Sequence, residues 1–170
     1  VLLADDMGLG KTLQALTFLA WLRHTGVNKR PALVVAPTGL LANWAAEIDR
    51  HFTPGALGGL VRAYGSGLSI VRTNTGRDIA SGSSTLDPER WAHAGVVLTT
   101  YETMRDYHFS FARTPFSVLI YDEVQKLKNP ASQVTAAARS LNGRFQIAMT
   151  GTPVENRLQD LWSILDVTHP

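Results

Sequence analysis

Short apolar runs alternate with amphipathic stretches along most of this chain. Six runs have the length and the β-branched content of buried strands, at residues 1–4, 32–36, 60–64, 95–100, 116–121 and 145–150. Four stretches repeat their apolar residues with the period of a helix, at residues 13–24, 40–52, 132–141 and about 158–167. This alternation is typical of βαβ units, and it predicts an α/β fold whose mostly parallel sheet carries helices on both faces.

One region interrupts the alternation. Residues 65–94 are rich in Gly, Ser, Thr and Arg and show no sustained period, so we expect a surface loop or insertion with at most one short helix. The dipeptide Asn142-Gly143 is expected to stop the helix at 132–141.

Composition narrows the class of protein without identifying it. With 170 residues, 45% of them hydrophobic and 18% charged, the chain has the size and balance of one folded domain, and disorder is excluded. A net charge of +2 is too small to indicate a nucleic-acid partner by itself. The absence of cysteine excludes disulfides and thiolate zinc sites, and no apolar run is long enough for a membrane span, so no membrane partner is expected.

Residues 5–12 read Asp-Asp-Met-Gly-Leu-Gly-Lys-Thr between an apolar strand and an amphipathic helix, which is where a phosphate-binding loop belongs. Gly8 and Gly10 would let the backbone amides face phosphate oxygens, Lys11 would neutralise the outer phosphates and the Thr12 hydroxyl would bind magnesium. Because Asp5 stands where the general pattern has its first glycine, a plain glycine-rich turn is the alternative. The nucleotide-binding residues predicted here are Asp5, Asp6, Met7, Gly8, Leu9, Gly10, Lys11 and Thr12.

Two further motifs directly follow predicted strands. Asp122 and Glu123 end the run at 116–121, where an Asp can hold magnesium and a Glu can polarise the attacking water. With Lys11, they are the predicted catalytic residues. The segment Thr-Gly-Thr-Pro at 150–153 can sense a phosphate and pass the change to an adjoining lobe. A solvated strand end and an ordinary turn are the respective alternatives.

In this order the motifs resemble the first lobe of the Swi/Snf-type ATPases, which are DNA translocases of helicase superfamily two. The family's phosphate loop reads Asp-Glu-Met-Gly-Leu-Gly-Lys-Thr, so Asp5 fits and Asp6 is a mild departure. Four more segments resemble family motifs: Val-Val-Ala-Pro-Thr-Gly-Leu-Leu-Ala-Asn-Trp at 34–44, Leu-Thr-Thr-Tyr-Glu-Thr at 98–103, Tyr-Asp-Glu-Val-Gln-Lys-Leu-Lys-Asn-Pro at 121–130 and Met-Thr-Gly-Thr-Pro-Val-Glu-Asn at 149–156. Together the five motifs cover nearly the whole chain.

The resemblance implies a single RecA-like lobe of the P-loop NTPase class over residues 1–170, which hydrolyses ATP with Mg²⁺ and moves on double-stranded DNA. It places six residues on or near a face that holds one DNA strand by its phosphates: Thr38, Gly39, Asn43, Thr99, Thr100 and Tyr101. A cap of the following helix is the alternative role for Thr38. Trp44 shares a helical face with Leu41 and Ile48, which favours a core position. The resemblance also implies that four residues couple the nucleotide to DNA: Gln125, Thr150, Gly151 and Thr152.

The family pattern also extends beyond these residues. Its glutamine motif lies upstream of the loop and its second lobe, with the arginine fingers, lies downstream, so we expect a fragment of a longer protein whose partner is that second lobe. Gln125 stands where many relatives carry His, and this variation is similar to that in bacterial members. The resemblance to bacterial members implies a cytoplasmic, nucleoid-associated protein, and a eukaryotic source would imply a nuclear one. The region 65–94 matches the family poorly. Another superfamily-two motor, such as an RNA helicase or a restriction translocase, and a nucleotide-responsive module without hydrolysis are the alternatives.

Overall fold

The computed structural model describes residues 1–6, 8–26, 29–73, 77–78, 85–151 and 158–168, the last segment through its backbone alone at 158–160. Six strands in these segments form one sheet. They are β1 (Leu2–Leu3), β2 (Ala32–Val35), β3 (Gly59–Arg62), β4 (Ala94–Thr99), β5 (Pro115–Asp122) and β6 (Asn142–Met149). Their order across the sheet is β1-β6-β5-β2-β4-β3, and neighbouring strands pair in parallel.

Helices occupy the connections that a parallel sheet requires. They are α1 (Lys11–His24), α2 (Thr38–His51), α3 (Leu68–Val71), α4 (Tyr101–Asp106), α5 (His108–Ala112), α6 (Gln133–Arg139) and α7 (Leu158–Thr168), with single 3₁₀ turns at Gly65–Gly67, Pro88–Arg90 and Val124–Leu127. None of the helices in the described segments is both long and apolar enough to cross a bilayer.

Two apolar cores lie on opposite faces of the sheet. Successive side chains of a strand point to opposite faces, so Val34, Val118 and Ile120 pack with α1 and α2, through residues such as Leu16 and Trp44. Their neighbours Leu33, Leu119 and Tyr121 pack with α4 to α7. This arrangement confirms the predicted α/β fold with helices on both faces.

The pairing register shows that three neighbouring strands end at the same level of the sheet. Leu3 pairs with Met149, and Met149 pairs with Asp122, so β1, β6 and β5 stop level with one another. In the centre of the sheet, Val35 pairs with both Tyr121 and Thr99. The segments that follow these strands therefore leave the sheet at one edge.

Several predicted boundaries need correction. Helix α1 begins at Lys11 and α2 at Thr38, each earlier than predicted, and α6 ends at Arg139. Asn142 and Gly143 do not stop that helix: they open β6, where Gly143 pairs with Phe116 and where a Cβ would lie 2.4 Å from Cγ of Leu119. Helices α4 and α5 were missed, because neither is long enough to show a helical period.

The region 65–94 is less superficial than predicted. Its described part contains a short helix, α3, as expected, and a β-bridge between Arg72 and Leu86. The prediction of a surface loop is wrong for Leu68, Val71, Leu86 and Trp91, which are buried in the core beneath α4 and α5. These four residues are too widely spaced to form a helical or strand period, so the sequence pattern did not predict their burial.

A buried carboxylate fastens this region to α5. Asp78 Oδ1 accepts hydrogen bonds from the backbone amide and the hydroxyl of Thr85, at 2.7 and 2.8 Å, and Oδ2 accepts one from the amide of Ser110 at 2.7 Å. Several donors are needed because a buried charge without partners is costly. The region is therefore a packed part of the folded chain and not a loose surface insertion.

We predict that Leu86→Ala destabilises the chain by about 2–5 kcal/mol, since it leaves a cavity in the core. Ile70→Ala is the matched control, because Ile70 lies in the same region but is 71% exposed. Urea denaturation followed by circular dichroism measures both free energies of unfolding. Equal stabilities of the two variants would contradict the burial of this region.

Candidate functional site

The loop between β1 and α1 depends on two glycines with left-handed backbone. Gly8 has φ 86° and Gly10 has φ 73°, values that side chains other than glycine rarely adopt. Gly10 is also the N-cap of α1, and its carbonyl accepts the first helical hydrogen bond from Gln14 at 2.9 Å. The loop therefore turns directly into the helix, whose unpaired amides and positive dipole end face the same space.

The side chain of Lys11 folds back onto the loop that precedes it. Its Nζ donates to the backbone carbonyls of Asp5 at 2.7 Å and Asp6 at 2.8 Å. Both aspartates thus contribute their backbone to the loop, and both residues are exposed. Two carbonyl oxygens therefore hold the ammonium at the loop.

Asp122 ends β5, and hydrogen bonds hold it on three sides. Its Oδ2 accepts from Nε1 of Trp44 at 2.8 Å, and its Oδ1 accepts from the backbone amide of Glu123 at 3.0 Å. The hydroxyl of Tyr101 donates to its backbone carbonyl at 2.8 Å. Both the carboxylate and the peptide group are therefore fixed.

Burial dominates the electrostatics of this carboxylate. It raises the pKa of Asp122 above its ordinary value, the hydrogen bond from Trp44 opposes that rise, and the charge of Glu123 adds to it. The ammonium of Lys11 lowers the same pKa, as expected for a nearby cation. Burial likewise raises the pKa of Tyr101 well above its usual value, so its hydroxyl stays protonated and remains a donor.

Glu123 is a non-glycine residue with left-handed backbone, at φ 54° and ψ 54°. Its carboxylate accepts a short hydrogen bond from the side-chain amide of Gln125. The amide oxygen of Gln125 in turn accepts from Oγ1 of Thr150 at 3.1 Å. Residues that follow two different strands, β5 and β6, are thus joined through one glutamine.

The loop and the acidic strand end share one cleft of about 330 Å³. Its lining comprises Gly8, Gly10, Lys11, Thr12, Leu13, Leu40, Asn43, Glu47, Asp122, Glu123, Met149 and Gly151. The structure therefore brings Lys11, Thr12, Asp122 and Glu123 together, as the sequence predicted. Leu9 instead lines an adjoining apolar groove with Phe18 and Trp21. Met7 and Thr152 lie outside the described residues.

The residues predicted near DNA divide into two groups. Thr38 and Gly39 are exposed at the start of α2, and Asn43 is exposed and lines the cleft itself. Because Pro37 is the N-cap of α2, Thr38 does not cap that helix.

The second group is buried. Thr99 donates its hydroxyl to the carbonyl of Ala63 at 3.0 Å, Thr100 caps α4 by accepting from the amide of Thr103, and Tyr101 holds Asp122. The side chains of Thr99 and Tyr101 are both buried and bonded internally, and their place near a DNA-binding face stays a prediction.

Trp44 is fully buried, so its predicted core position is confirmed. Its hydrogen bond to Asp122 was not predicted from the sequence. A signal was available, because a buried indole N–H usually requires an acceptor. Glu47 also lines the cleft and was not singled out.

The oxygen donors in the cleft suit magnesium. The hydroxyl of Thr12 and the carboxylate of Asp122 are hard ligands, and Mg²⁺ commonly takes one or two such protein ligands together with phosphates and water. Within the described segments, no three His, Asp or Glu side chains cluster into a site that could hold an ion by itself. The residues present therefore fit a metal that arrives with a nucleotide.

A family model of the SNF2-related domain matches residues 1–170. The chain belongs to the SNF2-related family. This SNF2-related domain is 45% identical over 174 aligned residues to the Zorya protein ZorD of Escherichia coli O139:H28, covering 99% of the domain and 16% of ZorD. It is 36% identical to the DNA repair and recombination protein RAD54 of Oryza sativa, covering 99% of the domain and 17% of that relative.

Solved structures agree with the sequence comparison. The Sulfolobus solfataricus SWI2/SNF2 ATPase core in complex with double-stranded DNA superposes with a TM-score of 0.78 at 29% identity, over all of this chain and 31% of that one. The same core without DNA gives a TM-score of 0.75 at 30% identity, covering 100% of this chain and 30% of that one. The fold is therefore that of one RecA-like lobe of a Swi/Snf-type ATPase. The chain spans about a sixth of the length of the curated relatives described above.

We predict that Asp122→Asn removes a loss of stability that the wild type shows as the pH rises above the ordinary Asp pKa. The folded protein raises the pKa of Asp122, so the ionised carboxylate weakens folding once the pH exceeds the ordinary Asp value, and this loss grows until the raised pKa is passed. Asparagine cannot ionise, and its single oxygen can accept from Trp44 or from the Glu123 amide but not from both, so the change of stability with pH is compared rather than its absolute value. Between the ordinary Asp pKa and pH 7, the thermal unfolding midpoint of the wild type should fall relative to that of the variant.

Asp49→Asn is the control, because Asp49 lies on the same helix as Trp44 and does not line the cleft. An equal pH dependence of the midpoint in Asp122→Asn and in the wild type would contradict the electrostatic description of the site.

Proposed function

We propose that this chain is the ATP-binding and ATP-hydrolysing lobe of a translocase that moves on double-stranded DNA and remodels protein–DNA complexes. The observation that carries the proposal is the single cleft in which Lys11, Thr12, Asp122 and Glu123 meet. Membership of the SNF2-related family supports it, since the relatives include proteins of DNA repair and of chromatin remodelling.

The triphosphate would lie along the start of α1. The backbone amides of the glycine loop and the helix dipole favour an anion there, and Lys11 adds the positive charge that the outer phosphates require. Thr12 and Asp122 would hold Mg²⁺, which offsets charge on the phosphate oxygens. Hydrogen bonds from Trp44 and from the Glu123 amide fix Asp122 before any ligand arrives, so its carboxylate is already in place.

Glu123 is the residue best placed to orient the attacking water and take up its proton. It follows Asp122 directly and lines the same cleft, and the hydrogen bond from Gln125 restricts its carboxylate. A non-hydrolysing module is the weaker alternative, because an acid, a metal-binding oxygen pair and a lysine all face the cleft.

The path from Glu123 through Gln125 to Thr150 supports a coupling role for Gln125, Thr150 and Gly151. Gly151 lines the cleft directly after Thr150, so a change at the terminal phosphate can reach the segment that follows β6. In the family this segment signals to a second lobe that supplies arginine fingers. Since removal of such an arginine costs about 10³–10⁵ in rate in other systems, this lobe alone should hydrolyse ATP slowly.

DNA would be held by its phosphates at the exposed start of α2. Thr38 and Gly39 present a hydroxyl and a backbone amide there, donors that bind phosphate without reading the base sequence. The match to an ATPase core in complex with double-stranded DNA supports duplex DNA as the partner.

The first test of this function is Glu123→Gln in the two-lobed protein. We expect DNA-stimulated phosphate release to fall by about 10²–10⁴, the usual contribution of a general base, with ATP binding retained. Glu102→Gln is the control, because Glu102 is an exposed glutamate at the start of α4. Undiminished turnover by Glu123→Gln would remove Glu123 from this role.

The second test concerns DNA. Thr38→Glu should weaken duplex binding, since it places a negative charge beside the phosphates, whereas Ala46→Glu adds the same charge at an exposed position later in α2. Fluorescence anisotropy at several salt concentrations should show wild-type affinity that falls with salt and is equal for scrambled duplexes. A strong preference for one duplex, or equal effects of the two glutamates, would count against this surface.

A further inference from the structure

The hydrogen bond between Trp44 and Asp122 joins the middle of α2 to the end of β5. The two residues are 78 positions apart, and the bond is buried, with 2.8 Å between Nε1 and Oδ2. Hydrogen bonds to a carboxylate at this length are of the strong, charge-assisted kind. The second oxygen, Oδ1, accepts from the amide of Glu123, so each oxygen of Asp122 has its own donor.

This pair of donors determines how the carboxylate is turned. A carboxylate held by one donor can still rotate, but donors to both oxygens leave one orientation. Each oxygen keeps further acceptor capacity, because a carboxylate offers about four lone-pair sites. The remaining capacity is available on the side of the cleft, which Asp122 lines.

Trp44 is suited to hold this orientation because it cannot move independently. Its side chain points from α2 into the apolar core that α1 and α2 form with the sheet. It is fully buried there, together with Leu41 and Val34. The indole N–H is a donor only, so it cannot reverse its role in the bond.

We propose that Trp44 is a positioning residue for the metal-holding carboxylate of Asp122, and that Mg²⁺-dependent nucleotide binding requires its indole N–H. The inference rests on the proposed function, since it concerns the same cleft. Residues that orient a metal ligand through a hydrogen bond typically change metal affinity by about 10–100-fold when they are mutated.

The chain contains a matched control for this tryptophan. Trp91 is also fully buried, and its Nε1 also donates a buried hydrogen bond, to Oγ1 of Thr114 at 3.0 Å. It stacks on Phe111, with 5.3 Å between ring centroids, in the core on the opposite face of the sheet. Trp91→Phe therefore removes the same N–H and the same amount of ring, but at a distance from the cleft.

The experiment measures binding of a fluorescent ATP analogue to the two-lobed protein as Mg²⁺ is titrated, and again in excess chelator. For Trp44→Phe we expect the half-saturating Mg²⁺ concentration to rise about 10–100-fold, with affinity in chelator equal to that of the wild type. For Trp91→Phe we expect the wild-type Mg²⁺ dependence. Equal Mg²⁺ dependence of Trp44→Phe and the wild type would overturn the inference, as would an equal loss in both variants.

A second variant covers the case in which Trp44→Phe does not fold. Benzothienylalanine at position 44 keeps the shape of the indole and replaces the N–H by sulfur, so it should fold and show the same rise in half-saturating Mg²⁺. A wild-type Mg²⁺ dependence in that variant overturns the inference. The wild-type titration distinguishes failure of this inference from failure of the proposed function. If Mg²⁺ does not change nucleotide binding by the wild type, the proposed function itself is contradicted.

Discussion

The site depends on the parallel pairing that ends β1, β6 and β5 at one level. Leu3, Met149 and Asp122 lie on one line of register. The glycine loop after β1, the segment that begins at Thr150 after β6 and the acidic pair that ends β5 must therefore leave the sheet side by side. Side chains far apart in sequence can act on one ligand because parallel strands present their carboxyl ends at the same edge.

The same geometry explains the unfavourable features of the site. Asp122 is buried although burial raises its pKa, and Glu123 adopts a left-handed backbone that costs a non-glycine residue on the order of 1–2 kcal/mol. Hydrogen bonds from Trp44, Tyr101 and Gln125 hold both residues in place. Strain and buried charge of this kind persist where the surrounding structure over-determines them, as is common at functional sites.

The sequence was sufficient for the existence of the strands and long helices and for Lys11, Thr12, Asp122 and Glu123 in the cleft, because each of these leaves a local signal. The glycines at 8 and 10 required a turn, and the apolar run before Asp122 required a buried strand. The sequence was insufficient where the signal depends on distant partners. Leu86 and Trp91 lie in a stretch without a period, and the indole of Trp44 finds its acceptor 78 residues away. The hydrogen bond of Tyr101 was not foreseen for the same reason, since only the fold shows its hydroxyl bonded to Asp122.

The proposed function requires that the glycine loop and the acidic end of β5 bind one triphosphate. A crystal structure of the two-lobed protein with Mg²⁺ and a non-hydrolysable ATP analogue would show whether they do. We expect the outer phosphates beside Lys11 and the metal between Thr12 and Asp122. A nucleotide bound elsewhere, or a metal that contacts neither residue, would contradict it.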